Sequence, residues 1–264
     1  DPFGRLDLDH LADELAAEKV EAVIGPFTSA MAAALVPVLA KTDTLVISPT
    51  ITSMDFFGKD DNLVRINRST RDNATDYARV LFGRGQRRIA VAYDIRNRSF
   101  TESWLKEFRK AFTDVGGTLA AEVPYESRPD VDFRDVVGKM LKGQPDGLLY
   151  IAGGIDVARL AQQSRRQAPK LPISASEWAG TEQLSELGGK VADGLVIVQN
   201  YKRDDDSPRF RAFREAYFKR YQKDPGYSSV SAYDAATVLR YGPYQGLQQQ
   251  IVFDAKAIRG ARFF

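Results

Sequence analysis

The chain has 264 residues, a length that suits two α/β lobes better than a single small core. Its 37 basic and 35 acidic residues give a net charge of +2, so composition implies no charge-driven affinity for nucleic acid or for membranes. The absence of cysteine excludes disulfides, thiol catalysis and cysteine-ligated metals, and no apolar stretch is long enough to span a bilayer.

Hydrophobic periodicity predicts helices and strands that alternate along the chain. An amphipathic helix at 7–18 is followed by an apolar run at 20–24, which is typical of a strand buried on both faces of a parallel sheet. The later elements are predicted as helix 30–41, strands 45–47 and 63–66, helix 72–82, strand 88–93, helix 101–115, strand 118–123, helix 133–141, strand 147–151, helix 156–167, strands 173–176 and 194–198, and helices 208–222 and 229–241. The aromatic residues at helical spacing in 208–222 are interpreted as core. Repeated units of strand and helix predict an α/β fold, in which ligands bind at loops beyond the carboxyl ends of the strands.

Motifs typical of enzymes are missing from the sequence. The single histidine, His10, lies in the first predicted helix, so a Ser-His-Asp triad would have to recruit that residue. No G-x-S-x-G elbow, G-x-G-x-x-G fingerprint or P-loop occurs. Gly153-Gly154 follows a predicted strand and is interpreted as a tight turn with an unusual backbone conformation. Since no histidines or carboxylates have metal-ligand spacing either, we predict a non-enzymatic protein without cofactor or metal.

Eight short segments, mostly at strand ends and helix starts, occur in a characteristic order. They are residues 23–29 (VIGPFTS), 46–52 (VISPTIT), 88–94 (RIAVAYD), 99–100 (SF), 146–154 (DGLLYIAGG), 174–178 (SASEW), 192–196 (ADGLV) and 231–235 (SAYDA). Each motif alone is weak. Their order and spacing together resemble the leucine/isoleucine/valine-binding proteins of ABC importers over most of the chain, and those are type I periplasmic binding proteins.

The resemblance implies an architecture of two Rossmann-like lobes with parallel sheets, joined by three hinge crossovers. Lobe one would take residues 1–68 and 200–247, and lobe two would take 69–199 and 248–264. The crossovers would lie near Asn67, Asn200 and Gln248. The strand, loop and helix with which the family opens have no counterpart here, and 241–249 is shorter than usual. We therefore expect that residues are absent from the sequence and that the flanking pieces have been joined, and the alternative is a true deletion.

The resemblance also implies a binding site for a zwitterion, beginning with donors for its carboxylate. Ser29 lies where a predicted strand gives way to a helix, whose N–H groups and positive dipole end suit an anion. Thr50, Ile51 and Thr52 follow the next strand, with Thr50 offering backbone contacts and Thr52 its hydroxyl and N–H. The alternative interpretations are that Ser29 is an ordinary helix N-cap and that the threonines make turn bonds.

Glu177 matches the acidic residue that binds the ligand amine in the family, and the alternative interpretation is a surface glutamate. The aromatic residues predicted near the side chain of the ligand are Phe27, Phe100, Trp178 and Tyr227. Phe100 matches a position in the family where an aromatic ring lies over the ligand. The alternative interpretation of Trp178 is that it is a core residue. Gly153 stands where the family often has a tyrosine. The loss of that bulk would either admit a ligand with a larger side chain or weaken the prediction that the ligand is an amino acid.

Together, these expectations describe an extracytoplasmic receptor. It would capture a small aliphatic or aromatic amino acid between two closing lobes and deliver it to the permease of an ABC importer. Such a chain would be a periplasmic monomer made with a cleavable signal peptide, without a nucleic-acid partner. The first alternative is the ligand-binding sensor domain of a membrane-anchored receptor. A second is a receptor for an aromatic or other small carboxylic acid. A transcriptional regulator is disfavoured because no helix-turn-helix precedes the lobes.

Overall fold

The computed structural model describes residues 8–59, 61–198, 201–202 and 204–241. The chain forms two compact units, each described here by itself. The first contains the residues up to Asn67 and those from Ser231 onward, and the second contains Arg68 to Val230.

The first unit contains a three-stranded parallel sheet in the order β1-β2-β3. The strands are β1 (Ala22–Ile24), β2 (Leu45–Ser48) and β3 (Leu63–Arg65), and the helices are α1 (Leu8–Ala17), α2 (Ser29–Leu39) and, from Ser231, α9 (Tyr227–Tyr241). Alternate residues of a strand point to opposite faces. Val46 accordingly packs with residues of α2, whereas Leu45 and Ile47 pack with residues of α9. Since both faces are covered, the polar groups of this unit are displaced to the strand ends.

The second unit contains a five-stranded parallel sheet in the order β5-β4-β6-β7-β8. Its strands are β4 (Arg88–Asp94), β5 (Thr118–Tyr125), β6 (Gly147–Ile151), β7 (Ile173–Ala175) and β8 (Val196–Ile197). Its helices are α3 (Thr70–Gly83), α4 (Arg98–Asp114), α5 (Phe133–Leu141), α6 (Gly154–Gln167), α7 (Glu182–Gly188) and α8 (Pro208–Tyr221). One face packs against α5 and α6 and the other against α3 and α4.

A column of aromatic rings stiffens the side of this sheet that carries α4. Trp104, Phe108 and Phe112 are spaced four residues apart, so they lie on one face of the helix. Their rings are stacked, with centroids 5.3 and 5.2 Å apart, and all three side chains are fully buried. Tyr77 of α3 meets the Trp104 ring edge-on at 5.1 Å. Close packing on every side holds Trp104 in one orientation.

The predicted fold class is confirmed, and every predicted helix and strand is present with ends shifted by a few residues. The interpretation of the aromatic residues of α8 as core is wrong. No residue of α8 is buried in the described part of the chain, because its aromatic side chains pack mainly along their own helix; Phe213 and Tyr217, for example, are 5.8 Å apart.

The lobe boundaries stay a prediction. The compact units seen here place 200–230 with the second unit rather than with the first. Two of the predicted crossover positions, Asn200 and Gln248, and the tail 248–264 lie outside the described residues.

The turn after α4 shows how tightly this core is packed. A Cβ at Gly117 would overlap the ring of Phe112, which is itself stacked on Phe108. We expect Gly117→Ala to lower the free energy of unfolding by about 1–3 kcal/mol, because overpacking forces buried rings out of place. Gly83→Ala is the matched control, since a Cβ there meets no atom within 4 Å. Urea unfolding of both variants measures the difference, and equal effects would contradict this account.

Candidate functional site

Two loops follow the carboxyl ends of β1 and β2 in the first unit, and hydrogen bonds hold them together. The buried Ser48 hydroxyl donates to the carbonyl of Pro26 at 2.7 Å and accepts the N–H of Ile51 at 3.2 Å. The Thr50 hydroxyl donates to the carbonyl of Phe27 at 2.6 Å. Parallel neighbours end at the same edge of a sheet, which is why residues more than 20 positions apart meet here.

The first unit brings its predicted site residues to this edge, in different environments. Ser29 is the first residue of α2 and is buried, but the helix cap is Thr28, whose hydroxyl accepts the N–H of Met31 at 3.2 Å. The interpretation of Ser29 as an ordinary N-cap is therefore wrong. Thr52 is buried and Phe27 is 44% exposed, whereas the Ile51 side chain lies in the core against α2.

The second unit holds Glu177 in an interior polar site just after β7. Glu177 is 3% exposed, and its carboxylate accepts hydrogen bonds from the Asn73 side-chain N–H at 2.9 Å and from the Trp104 indole N–H at 3.0 Å. Both partners are neutral. The interpretation of Glu177 as a surface glutamate is therefore wrong.

Burial raises the pKa of the Glu177 carboxyl above its ordinary value, because the charged form loses hydration. The hydrogen bonds from its own backbone N–H, Asn73 and Trp104 oppose that rise, and so does the more distant charge of Arg68. Arg68 itself forms an ion pair with Asp76 at 2.7 Å. In the described part of the second unit, no cationic side chain is ion-paired with Glu177.

Aromatic residues surround the turn that carries Glu177. The Trp178 ring meets Phe100 edge-on at a centroid distance of 5.6 Å. A Cβ at Gly153 would lie 3.6 Å from the Trp178 ring, and one at Gly154 would overlap Thr181. Gly153 has an ordinary φ of −72° and caps α6. The interpretation of Gly153-Gly154 as a turn of unusual conformation is wrong, because both glycines have ordinary backbone angles. Of the two, only Gly154 lies too close to its neighbours to carry a side chain.

Tyr227 begins α9 and is the last of the predicted aromatic residues in the second unit. It is buried, and burial raises the pKa of its hydroxyl to about 12, with the charge of Glu177 a smaller contribution. Tyr227 therefore lies close enough to Glu177 for the two to interact electrostatically. The second unit thus gathers Phe100, Gly153, Glu177, Trp178 and Tyr227 around the carboxyl ends of β6 and β7.

Sequence reasoning missed three residues that shape these sites, namely Ser48, Asn73 and Trp104. Asn73 and Trp104 lie on different helices, 104 and 73 positions from Glu177, so no local pattern links them. Trp104 has the helical spacing of a core residue, and it is one. Its indole N–H also donates to Glu177, which the spacing does not indicate. A signal for Ser48 existed, because it is a polar residue that ends an otherwise apolar strand.

The described part of the chain shows neither a metal site nor a membrane-spanning helix. It contains no group of three or more histidines and carboxylates placed to hold a metal ion. None of its helices combines the length and hydropathy needed to cross a membrane.

Comparison with known proteins assigns the family. The family model described as periplasmic binding protein matches residues 9–248. The chain belongs to the periplasmic binding protein family. Proteins of this family are solute-binding receptors of ABC transporters and act outside the cytoplasm. A search of curated protein sequences returned no match.

Solved structures similar to this periplasmic binding protein include receptors for different solutes. The leucine-binding protein LivK of Thermotoga maritima is 24% identical, with a TM-score of 0.82 over 95% of this chain and 71% of that one. LivJ of Streptococcus pneumoniae, in complex with isoleucine, is 20% identical, with a TM-score of 0.80 over 95% and 71%. An R. palustris solute-binding protein in complex with benzoate is 18% identical, with a TM-score of 0.80 over 96% and 68%. At these identities, the likeness supports the fold.

The raised pKa of Glu177 makes the stability of the protein depend on pH. The pKa of this carboxyl is higher in the native state than its unfolded value of 4.5. Between these two pKa values, the native state therefore binds more protons than the unfolded state. Its contribution to stability is present below pH 4.5 and is lost as the pH rises through the native pKa. We expect the free energy of unfolding of the wild type, minus that of Glu177→Gln, to decrease between pH 4.5 and pH 7.5. Urea unfolding of both proteins measures it, and a difference that grows with pH would contradict the buried, unpaired carboxylate.

Proposed function

We propose that this periplasmic binding protein is the receptor of an ABC importer for a small aliphatic or aromatic L-amino acid. The observation that carries the proposal is the buried Glu177 carboxylate, whose hydrogen-bond partners are neutral. An uncompensated buried charge is costly, and a ligand ammonium group would supply the missing positive charge. A carboxylate has about four acceptor sites, so the hydrogen bonds from Asn73, Trp104 and its own backbone N–H leave it able to accept from a ligand.

The carboxylate of the ligand needs donors, and the proposal assigns them to the loops after β1 and β2. Ser29 lies in the first turn of α2, where backbone N–H groups have no partner within the helix. The Thr50 hydroxyl already donates its single hydrogen to Phe27, so Thr50 would act through its backbone N–H. Thr52 would contribute its hydroxyl and N–H. Ile51 would act by holding the loop, since its N–H is donated to Ser48.

A second candidate function is the binding of a small aromatic acid. The Phe100 and Trp178 rings, with no side chain at Gly153, form an aromatic surface that suits a flat ring. Solute-binding proteins of this fold from R. palustris were solved in complex with benzoate and with 4-hydroxybenzoate. Against this function, an acid without an amine would leave Glu177 without a counter-charge.

The remaining parts of the proposal concern partners and location. We propose that the protein acts outside the cytoplasm as a monomer and delivers its ligand to the membrane permease of the importer. The sensor domain of a membrane receptor is the alternative, and it would bind its ligand by the same chemistry. Reconstitution with a candidate ABC permease in vesicles would distinguish the two, because only a transport receptor stimulates uptake.

The ligand class can be tested by calorimetry. We expect one or more aliphatic or aromatic L-amino acids to bind with micromolar or tighter affinity, corresponding to about −8 kcal/mol or better. The matched controls are deaminated analogues, such as 4-methylpentanoate for leucine and 3-phenylpropionate for phenylalanine. Binding of benzoate or 4-hydroxybenzoate, with no response to any amino acid, would favour the second candidate and refute the first.

The role of Glu177 can be tested by Glu177→Gln, which keeps the shape and removes the charge. Breaking a buried charge pair costs about 3–5 kcal/mol, so we expect a loss in amino-acid affinity of roughly a hundredfold or more. The deaminated analogue should bind the variant no worse than it binds the wild type. Glu107→Gln is the matched control, because Glu107 is also buried in this unit but is ion-paired with Arg71 at 3.0 Å. Unchanged affinity in Glu177→Gln would remove Glu177 from the site.

A further inference from the structure

We propose that Asn73 and Trp104 are positioning residues that keep Glu177 ionised inside the second unit and so make the site select a ligand with a positive charge. The selection of a positively charged ligand rests on the proposed function. Its first step, the ionisation of Glu177 in the free protein, stands on the geometry of the second unit alone.

The chemistry of the two partners favours the carboxylate over the carboxylic acid. An indole N–H is a donor only, so Trp104 can bond to an ionised oxygen but offers nothing to a carboxyl proton. Asn73 donates through Nδ2 to Glu177, and its Oδ1 is a buried atom without a hydrogen-bond partner. The amide thus presents its donor to the carboxylate while its own acceptor stays unpaired. That arrangement suits a negative charge on Glu177, because hydrogen bonds to charged groups are stronger than those between neutral groups.

Both donors are held in place by packing rather than by flexible contacts. Trp104 lies between the stacked ring of Phe108 and the edge of Tyr77, and its side chain is fully buried. Asn73 is also fully buried and lies in the first turn of α3, after the Ser69 cap. The two hydrogen bonds reach different oxygens of Glu177, which fixes the plane of the carboxylate. A preorganised acceptor of this kind loses little conformational freedom when a ligand binds.

Arg68, Tyr77 and Tyr227, the ionisable side chains that interact electrostatically with Glu177, keep their charge state between pH 5 and pH 8. Arg68 stays cationic at these values and is ion-paired with Asp76. The pKa of Tyr77 is raised well above its ordinary value by burial and then by the charge of Glu177, and that of Tyr227 is raised to about 12, chiefly by burial, so both remain neutral. The single histidine of the chain, His10, belongs to the first unit. A titration that responds to Glu177 in this range can therefore be assigned to Glu177 itself.

The ionisation of Glu177 can be observed in the free protein by NMR. The chain has two tryptophans, so two indole N–H signals are expected, and Trp178→Phe assigns the one from Trp104. The Trp104 signal should titrate with the protonation of Glu177, and the titration should vanish in Glu177→Gln. In Asn73→Leu, the loss of one hydrogen bond to the charged form should move the midpoint upward by about one pH unit. Asn73→Ala is a smaller variant that serves if Asn73→Leu does not fold.

Selectivity is the second measurement, and it uses the whole protein. For each variant, the affinity for an amino acid is divided by the affinity for its deaminated analogue at pH 6 and at pH 8. We expect this ratio to be lower at pH 6 than at pH 8, and the decrease to be larger in Asn73→Leu and in Trp104→Phe than in the wild type, by at most about tenfold for a one-unit rise in the pKa of Glu177. Tyr77→Phe is the matched control, because the Tyr77 hydroxyl bonds to Ala175 and Val198 rather than to Glu177. Its ratio should follow the wild type.

The outcomes separate the two proposals. An unchanged midpoint in the folded Asn73 variants, or an equal effect of Tyr77→Phe and Trp104→Phe on the selectivity ratio, would overturn the positioning role. If the Trp104 titration behaves as expected but no amino acid binds, the inference about Glu177 stands and the proposed ligand class fails. If amino acids bind and the ratio shows no added dependence on pH in either variant, the proposed function stands and Asn73 and Trp104 are structural.

Discussion

The structure depends on one constraint, which is that both parallel sheets are covered on their two faces. A strand buried in this way can present polar chemistry only where it ends, so the predicted polar site residues follow the carboxyl ends of β1 and β2 in the first unit and of β7 in the second. In the first unit, the hydroxyl of Ser48 lies at such an end and joins two loops. In the second, Glu177 lies two residues beyond the end of β7. The same rule thus places polar groups at strand ends in each unit.

A buried carboxylate needs hydrogen-bond donors, and the second unit supplies neutral donors on a rigid aromatic support. The hydrogen bonds from Asn73 and Trp104 oppose the rise in the pKa of Glu177 that burial causes. The stacked rings of α4 hold the Trp104 indole in the orientation that this hydrogen bond needs. Core packing and site electrostatics are therefore coupled in this unit, because one side chain takes part in both.

The turn that begins α6 is closely packed at one of its two glycines. Gly153 and Gly154 have ordinary backbone angles, but a Cβ at Gly154 would overlap Thr181, whereas one at Gly153 would make only ordinary contact with the Trp178 ring. Trp178 in turn packs edge-on against Phe100. In the proposed site, this aromatic pair would suit either an amino-acid side chain or a flat aromatic ring.

The sequence by itself determined the order and type of the elements, because periodicity and apolar runs are local properties that burial on parallel sheets imposes directly. The resemblance to a known family also pointed to Ser29, Thr50 and Glu177, which lie shortly after predicted strands or at the start of a helix. Only the tertiary structure decided that Thr28, and not Ser29, caps α2, that Glu177 is interior, and that Asn73 and Trp104 are its partners. It also left the aromatic side chains of α8 outside the core, although their helical spacing is that of core residues. The reason is that contacts between residues far apart in the chain depend on how helices pack over a sheet, and no local pattern encodes that packing.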